Sequence, residues 1–155
     1  MILYLDASAL VKRYVSEPGS EEVRRTIAGA QAVGTAAVSR AEVSAALAKA
    51  VRHGLLSRED AESAHQAFSR EWPDFIRLPI TELLLGLAAD FAWDLSLRGY
   101  DAVQLAAAVS WHETMEEPVS FATFDRKLWE AAGHVGLTGF PEDLPALLDS
   151  WKQEG

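Results

Sequence analysis

Four acidic residues stand at points where an apolar run gives way to a helix-forming one, and together they suggest a common chemistry. Asp6 ends Ile2-Leu3-Tyr4-Leu5, and Glu42 falls three residues after Ser39. Asp101 precedes Ala102-Val103-Gln104-Leu105-Ala106-Ala107-Ala108, and Asp125 follows Ala122-Thr123-Phe124. Singly, each has an ordinary role. Asp6, Asp101 and Asp125 suit helix starts, where a carboxylate satisfies free N–H groups. Ser39-Arg40-Ala41-Glu42 fits a capping box, in which Glu42 folds back onto the helix start. As a group they need more than that. Two carboxylates about 5 Å apart repel by roughly 3 kcal/mol at an effective dielectric of 20. Four of them therefore require protons or divalent cations between them. Oxygen ligands without His or Cys select hard cations, Mg²⁺ or Mn²⁺. The implied chemistry is metal-activated water attacking a phosphodiester.

Converging these residues requires strands that end where helices begin. The pattern predicts strands over 2–5, 32–37, 75–80, 118–123 and 134–138. It predicts helices over 7–15, 20–28, 39–53, 57–72, 81–98, 100–115, 125–132 and 141–152, with Gly54 as a C-cap and Pro79 at an edge or terminus. Alternating strands and helices imply a doubly wound, mostly parallel α/β sheet with helices on both faces. In such folds ligands bind beyond the carboxyl ends of the strands. All four acids fall at that rim.

Composition sets the boundaries. The 155 residues, 49% hydrophobic and 24% charged, suit one domain spanning 1–155 with its own core. With no Cys there is no disulfide or thiolate chemistry, and a reducing cytoplasm is the expected location. The four His are scattered, which argues against a His-rich metal site. The apolar run Leu83 to Ala89 is far short of the roughly 20 residues of a membrane span, so no membrane partner is expected. The start of the chain lacks the basic region of a signal peptide. The formal net charge of −9 argues against nucleic acid only at first sight. Residues 1–52 carry a net +2 and the rest −11, and discounting Asp6 and Glu42 raises the first part to +4.

The run Asp6-Ala7-Ser8-Ala9-Leu10-Val11-Lys12, then Glu42, then Leu97-Arg98-Gly99-Tyr100-Asp101-Ala102-Val103-Gln104-Leu105-Ala106, then Ala122-Thr123-Phe124-Asp125 resembles the PIN-domain ribonucleases. Within them it is most similar to VapC-type toxins of toxin–antitoxin pairs. The resemblance covers nearly the whole chain. It implies a PIN-like fold, Mg²⁺- or Mn²⁺-dependent endoribonuclease activity on an RNA substrate, a homodimer and a cognate antitoxin, small and basic or DNA-binding. By the same resemblance Asp6, Glu42 and Asp101 would be metal ligands and Asp125 the fourth acid, direct or through water. Ser8 and Thr123 would orient ligands or water; their local alternatives are a second cap and an ordinary strand residue.

Arg98 stands within reach of a phosphate, and Lys12, Arg13, Arg40 and Arg126 would line the approach or lie on solvated faces. Gln104, one turn beyond Asp101, is expected to pack or hydrogen-bond. Trp72, Trp93, Trp111, Trp129 and Trp151 read as core or interface anchors. Two other functions compete: an aspartyl-phosphate phosphotransferase using Asp6 as nucleophile, and a non-catalytic acidic pocket binding a basic peptide. Asp6-x-Ser8 lacks the second Asp that would favour the former.

Overall fold

The computed structural model describes residues 1–155. Five strands, β1 (Ile2–Leu5), β2 (Ala32–Ala36), β3 (Ile76–Leu78), β4 (Val119–Ala122) and β5 (Thr138–Phe140), form one sheet in the order β3-β2-β1-β4-β5. Every pairing is parallel. The helices are α1 (Ala7–Leu10, continued as a 3₁₀ turn Val11–Arg13), α2 (Ser20–Gly29), α3 (Ser39–Arg52) and α4 (Arg58–Glu71). They continue as α5 (Glu82–Leu95), α6 (Gly99–Thr114), α7 (Arg126–His134) and α8 (Leu144–Glu154). From β1 the chain winds outward to β2 and β3, then returns through α5 and α6 to β4 on the other flank. The reversal leaves a crevice at the carboxyl ends of β1 and β4, where parallel sheets place ligands.

β1 shows how the sheet is buried on both faces. Successive side chains of a strand point to opposite sides. Ile2 and Tyr4 pack with Phe121, Leu105, Trp111 and Leu128 on the α6–α7 side. Leu3 and Leu5 pack with Leu10, Val23, Val43, Phe68 and Trp72 on the α1–α4 side. Tyr4 stacks on Phe121 with ring centroids 5.3 Å apart. Gly34 of β2 admits α6 closely, because a Cβ there would lie 2.7 Å from the Trp111 ring. Pro79 follows edge strand β3, as expected of a residue without an N–H to donate.

Several predicted boundaries shift: the helix expected over 7–15 is α1 with its 3₁₀ turn, ending at Arg13, the strand expected over 75–80 is Ile76–Leu78, and the helix expected over 141–152 begins at Leu144. The strand expected over 134–138 is the end of α7 and a turn, and β5 begins only at Thr138. Gly133 lies inside the helix, and the stop is Gly136 at φ +90°. Around it Gly136 N–H donates to Gly133 and Leu137 N–H to Ala132, the paired bonds of a Schellman end. The helix expected over 81–98 stops at Leu95, because Ser96 adopts φ +55°. Leu97 and Arg98 are thereby released from the helix, and Arg98 becomes the residue before α6. Gly54 ends α3 at φ +71°, as expected.

Candidate functional site

Asp6 leaves β1 directly into α1, and its two carboxylate oxygens serve two elements. Oδ1 accepts from the Ala9 N–H at 2.9 Å, capping α1, and from the Ser8 hydroxyl at 2.7 Å. Oδ2 accepts from the Thr123 hydroxyl at the end of β4, 2.5 Å away. Thr123 Oγ1 in turn accepts from the Asp125 N–H, and Ser8 Oγ accepts from the Phe124 N–H. Both hydroxyl protons are thus committed to Asp6. Their oxygens hold the turn that carries Asp125, joining the ends of β1 and β4.

Burial leaves Asp6 only 4% exposed and pushes its carboxyl up to about 6 from an ordinary 3.8. The bonds from Thr123, Ser8 and Ala9 pull the other way, and the Asp101 charge adds to the rise. Glu42 and Asp101 are also shifted upward, chiefly by burial. Asp101 raises Glu42, while Asp125 raises Asp101. Asp101 therefore stands electrostatically between the other acids. Arg98 lies against this cluster, its guanidinium 3.3 Å from Asp101 Oδ2 and 3.4 Å from Asp125 Oδ2. Asp125 also caps α7 through the Leu128 N–H. Capping and membership of the rim coexist in one carboxylate, because each oxygen has its own neighbour.

Glu42 corrects the capping-box reading. Val38, in helical conformation, precedes α3, and the Glu42 N–H donates to the Val38 carbonyl. With that donor engaged, Ser39 turns inward to Thr35 and Gln104, and Glu42 Oε1 accepts from Gln104 Nε2 at 2.8 Å. Gln104 is the residue whose importance sequence reasoning missed. Its signal was a lone amide within the apolar stretch Ala102–Ala108.

The basic residues proposed for the approach separate. Lys12 is only 8% exposed and lies on neither an approach nor a solvated face. Its ammonium bonds Glu17 at 3.0 Å and the Pro18 carbonyl at 2.7 Å, and lies over the Phe124 and Trp151 rings. Arg13 is tied to Glu71, and Arg126 pairs with Glu130. Arg40 is exposed at the start of α3. Trp72 and Trp111 are core residues, whereas Trp93 is 88% exposed.

As donors the four acids are chemically suited to a hard divalent cation: all are oxygen ligands, and three are raised by crowding and burial. As the side chains stand, no three of them enclose one ion position.

Comparison with known proteins settles the family. The profile of the PIN domain matches residues 3–134. The chain is a PIN-domain protein of the VapC family. This PIN domain is 30% identical over 143 residues to Ribonuclease VapC45 of Mycobacterium tuberculosis (strain CDC 1551 / Oshkosh), covering 92% of the chain and 97% of that relative. It is 30% identical over 140 residues to Ribonuclease VapC47 of the same strain, covering 88% and 93%. Among solved structures, FitAB bound to an IR36 DNA fragment matches with a TM-score of 0.66 at 19% identity, over 90% of this chain and 94% of that one. FitAcB from Neisseria gonorrhoeae matches with a TM-score of 0.65 at 20% identity, over 91% and 98%. These likenesses establish the PIN-like fold. No helix of this VapC-family chain is long and apolar enough to cross a membrane.

Proposed function

We propose that this protein is an endoribonuclease that hydrolyses RNA phosphodiester bonds at the carboxylate rim, and the toxin of a toxin–antitoxin pair. The reading rests on one observation: at the switch point of a parallel sheet, acids far apart in sequence are close enough that the Asp101 charge raises the proton affinity of Asp6 and Glu42, and the Asp125 charge that of Asp101. Its VapC relatives, which bear the name ribonuclease, support it. The four acids would hold one or two Mg²⁺ or Mn²⁺ ions. A divalent cation so held lowers the pKa of attacking water and offsets charge on the phosphate.

The chain's own residues prepare that site. Ser8 and Thr123 keep Asp6 in one orientation and tie Asp125 to it. Arg98, with a side chain 83% exposed, pairs with Asp101 and Asp125 while no cation is bound and would turn outward to a phosphate oxygen. Burial of Asp6, with both oxygens already accepting hydrogen bonds, favours a ligand role over a phosphorylated nucleophile.

The partners belong to the same reading. A cleft of about 230 Å³ lined by Val11, Val15, Ala46, Leu47 and Ala50 offers the cognate antitoxin an apolar seat. Exposed Leu83, Trp93 and Tyr100, on α5 and the start of α6, suit the face of a homodimer. The single domain acts in the cytoplasm. RNA-end sequencing after expression of wild type and Asp6→Asn tests the activity, with purified protein assayed beside it in Mg²⁺ and in EDTA. New RNA ends are expected only from wild type with metal. Full cleavage in EDTA, or by both Asp6→Asn and Asp101→Asn, would sink the reading.

A further inference from the structure

Gln104 is 1% exposed and lies beneath the acidic rim, where both polar atoms of its side chain are engaged. Its Oε1 accepts from the Tyr4 hydroxyl at 2.5 Å. Its Nε2 faces Ser39 Oγ at 2.9 Å and Glu42 Oε1 at 2.8 Å. An amide has two N–H donors and one carbonyl oxygen, and all three are met.

Proton accounting fixes which way round the amide sits. Thr35 Oγ1 lies 2.7 Å from both the Leu5 carbonyl and Ser39 Oγ. A carbonyl only accepts, so the single Thr35 proton goes to Leu5, and the Ser39 proton goes to Thr35. Ser39 Oγ is left as an acceptor for Gln104. The amide nitrogen is therefore pinned on the side of Ser39 and Glu42, and its second N–H points permanently at Glu42 Oε1. A buried network with every member satisfied is rigid, because any flip would strand a donor. No buried side-chain nitrogen or oxygen of this protein lacks a partner.

We infer that Gln104 is the positioning residue for Glu42: by occupying Oε1, it fixes the side chain so that Oε2 is presented to a divalent cation. The chain Tyr4–Gln104–Glu42 thus carries the rigidity of β1 and α6 into the first turn of α3. This inference rests on the metal site proposed above. Hydrogen bonds to ligand carboxylates from outside the ligand set usually change metal affinity by about 10–100-fold.

The test is Mn²⁺ binding to the RNA-free protein, measured by titration calorimetry and by the loss of the free-Mn²⁺ paramagnetic resonance signal. Gln104→Met keeps the length and apolar bulk of the side chain but removes its donors. It is expected to weaken Mn²⁺ binding about tenfold. The loss should not add to that of Glu42→Gln in the double variant, yet should add to that of Asp125→Asn. A merely structural role would add to both. Tyr4→Phe, which removes only the hydroxyl, is expected to weaken Mn²⁺ binding by less than Gln104→Met does and decides the matter if Gln104→Met does not fold. If Glu42→Gln weakens binding while Gln104→Met, or Tyr4→Phe in its place, leaves it unchanged, the positioning role is overturned alone. If Glu42→Gln itself leaves Mn²⁺ affinity intact, the metal reading falls and the positioning role with it.

Discussion

Thr123 donates its hydroxyl to Asp6 across 117 positions of the chain, while the same oxygen accepts the Asp125 N–H. One hydroxyl thereby couples a buried carboxylate to the turn bearing a second one. Thr123→Val, nearly the same shape, removes both bonds. Leaving buried polar groups unpaired costs about 1–3 kcal/mol, readable as a lower urea midpoint. Cleavage should fall with it, and Thr123→Ser should restore most of both. A Thr123→Val protein as stable as wild type would refute this coupling.

Asp6 gives stability a defined pH dependence. Its folded pKa of about 6 exceeds the ordinary 3.8, so the folded protein holds that proton more tightly. The contribution is fully present below about pH 4 and is lost as pH rises through 6. A shift of about 2 units corresponds to roughly 3 kcal/mol between these limits. In metal-free buffer, melting of wild type between pH 4 and 7 should show this loss, and Asp6→Asn should show only the smaller one left by Glu42 and Asp101, whose carboxyls are also raised by burial. Because the proton competes with the cation, Mn²⁺ affinity should rise through the same window.

Arg98 is an exposed cation 3.3 Å from Asp101 and 3.4 Å from Asp125, so a metal ion held as proposed would compete with it. Exposed ion pairs contribute only about 0–1 kcal/mol. Arg98→Ala should therefore leave the melting temperature almost unchanged while tightening Mn²⁺ binding severalfold. If Arg98 also meets a phosphate, KM for RNA should rise in the same variant. Weaker Mn²⁺ binding would show that Arg98 assembles the rim rather than competing for it.

Lys12 ties the C-terminal helix to the rim, since its ammonium lies 4.5 Å from the centre of the Phe124 ring and 5.4 Å from that of Trp151. Phe124 is itself fixed by Ser8 and stacked on Trp151. Lys12→Met keeps the stem and loses the charge, at an expected cost of about 1–2 kcal/mol by urea unfolding. Removing α8 should loosen the 123–125 turn, giving faster amide exchange there than in β1.

Trp93→Glu on the exposed face of α5 should leave the fold and Mn²⁺ binding intact. Light scattering is expected to show a dimer for wild type and a monomer for the variant. A dimer that persists places the interface elsewhere.

Much of the fold was legible because its signals are local. β1 is an apolar run ended by an acid, α4 starts at the Ser57 cap, and Gly54 closes α3. The errors came where two local signals competed. The helix expected to end at Ala132 runs on through Gly133 to His134, because it is Gly136 that takes the left-handed conformation ending α7. Ser96, an unremarkable residue, ends α5 early and sets Arg98 free. Lys12 looked like a surface cation, because nothing near it in sequence announces Phe124 and Trp151.

By itself the sequence determined the alternation of strands and helices, and thus a rim at which Asp6, Glu42, Asp101 and Asp125 could converge. It also carried the PIN resemblance, since those acids occur in order at suitable intervals. Only the tertiary structure decided what each oxygen does. The Ser39–Glu42 motif is self-sufficient as a cap in an isolated helix, but once the Val38 carbonyl takes the Glu42 N–H, both side chains are released to Gln104. Local rules count the donors a residue can satisfy nearby. Packing adds donors from a hundred residues away, and in a buried site those decide, because water is not there to replace them.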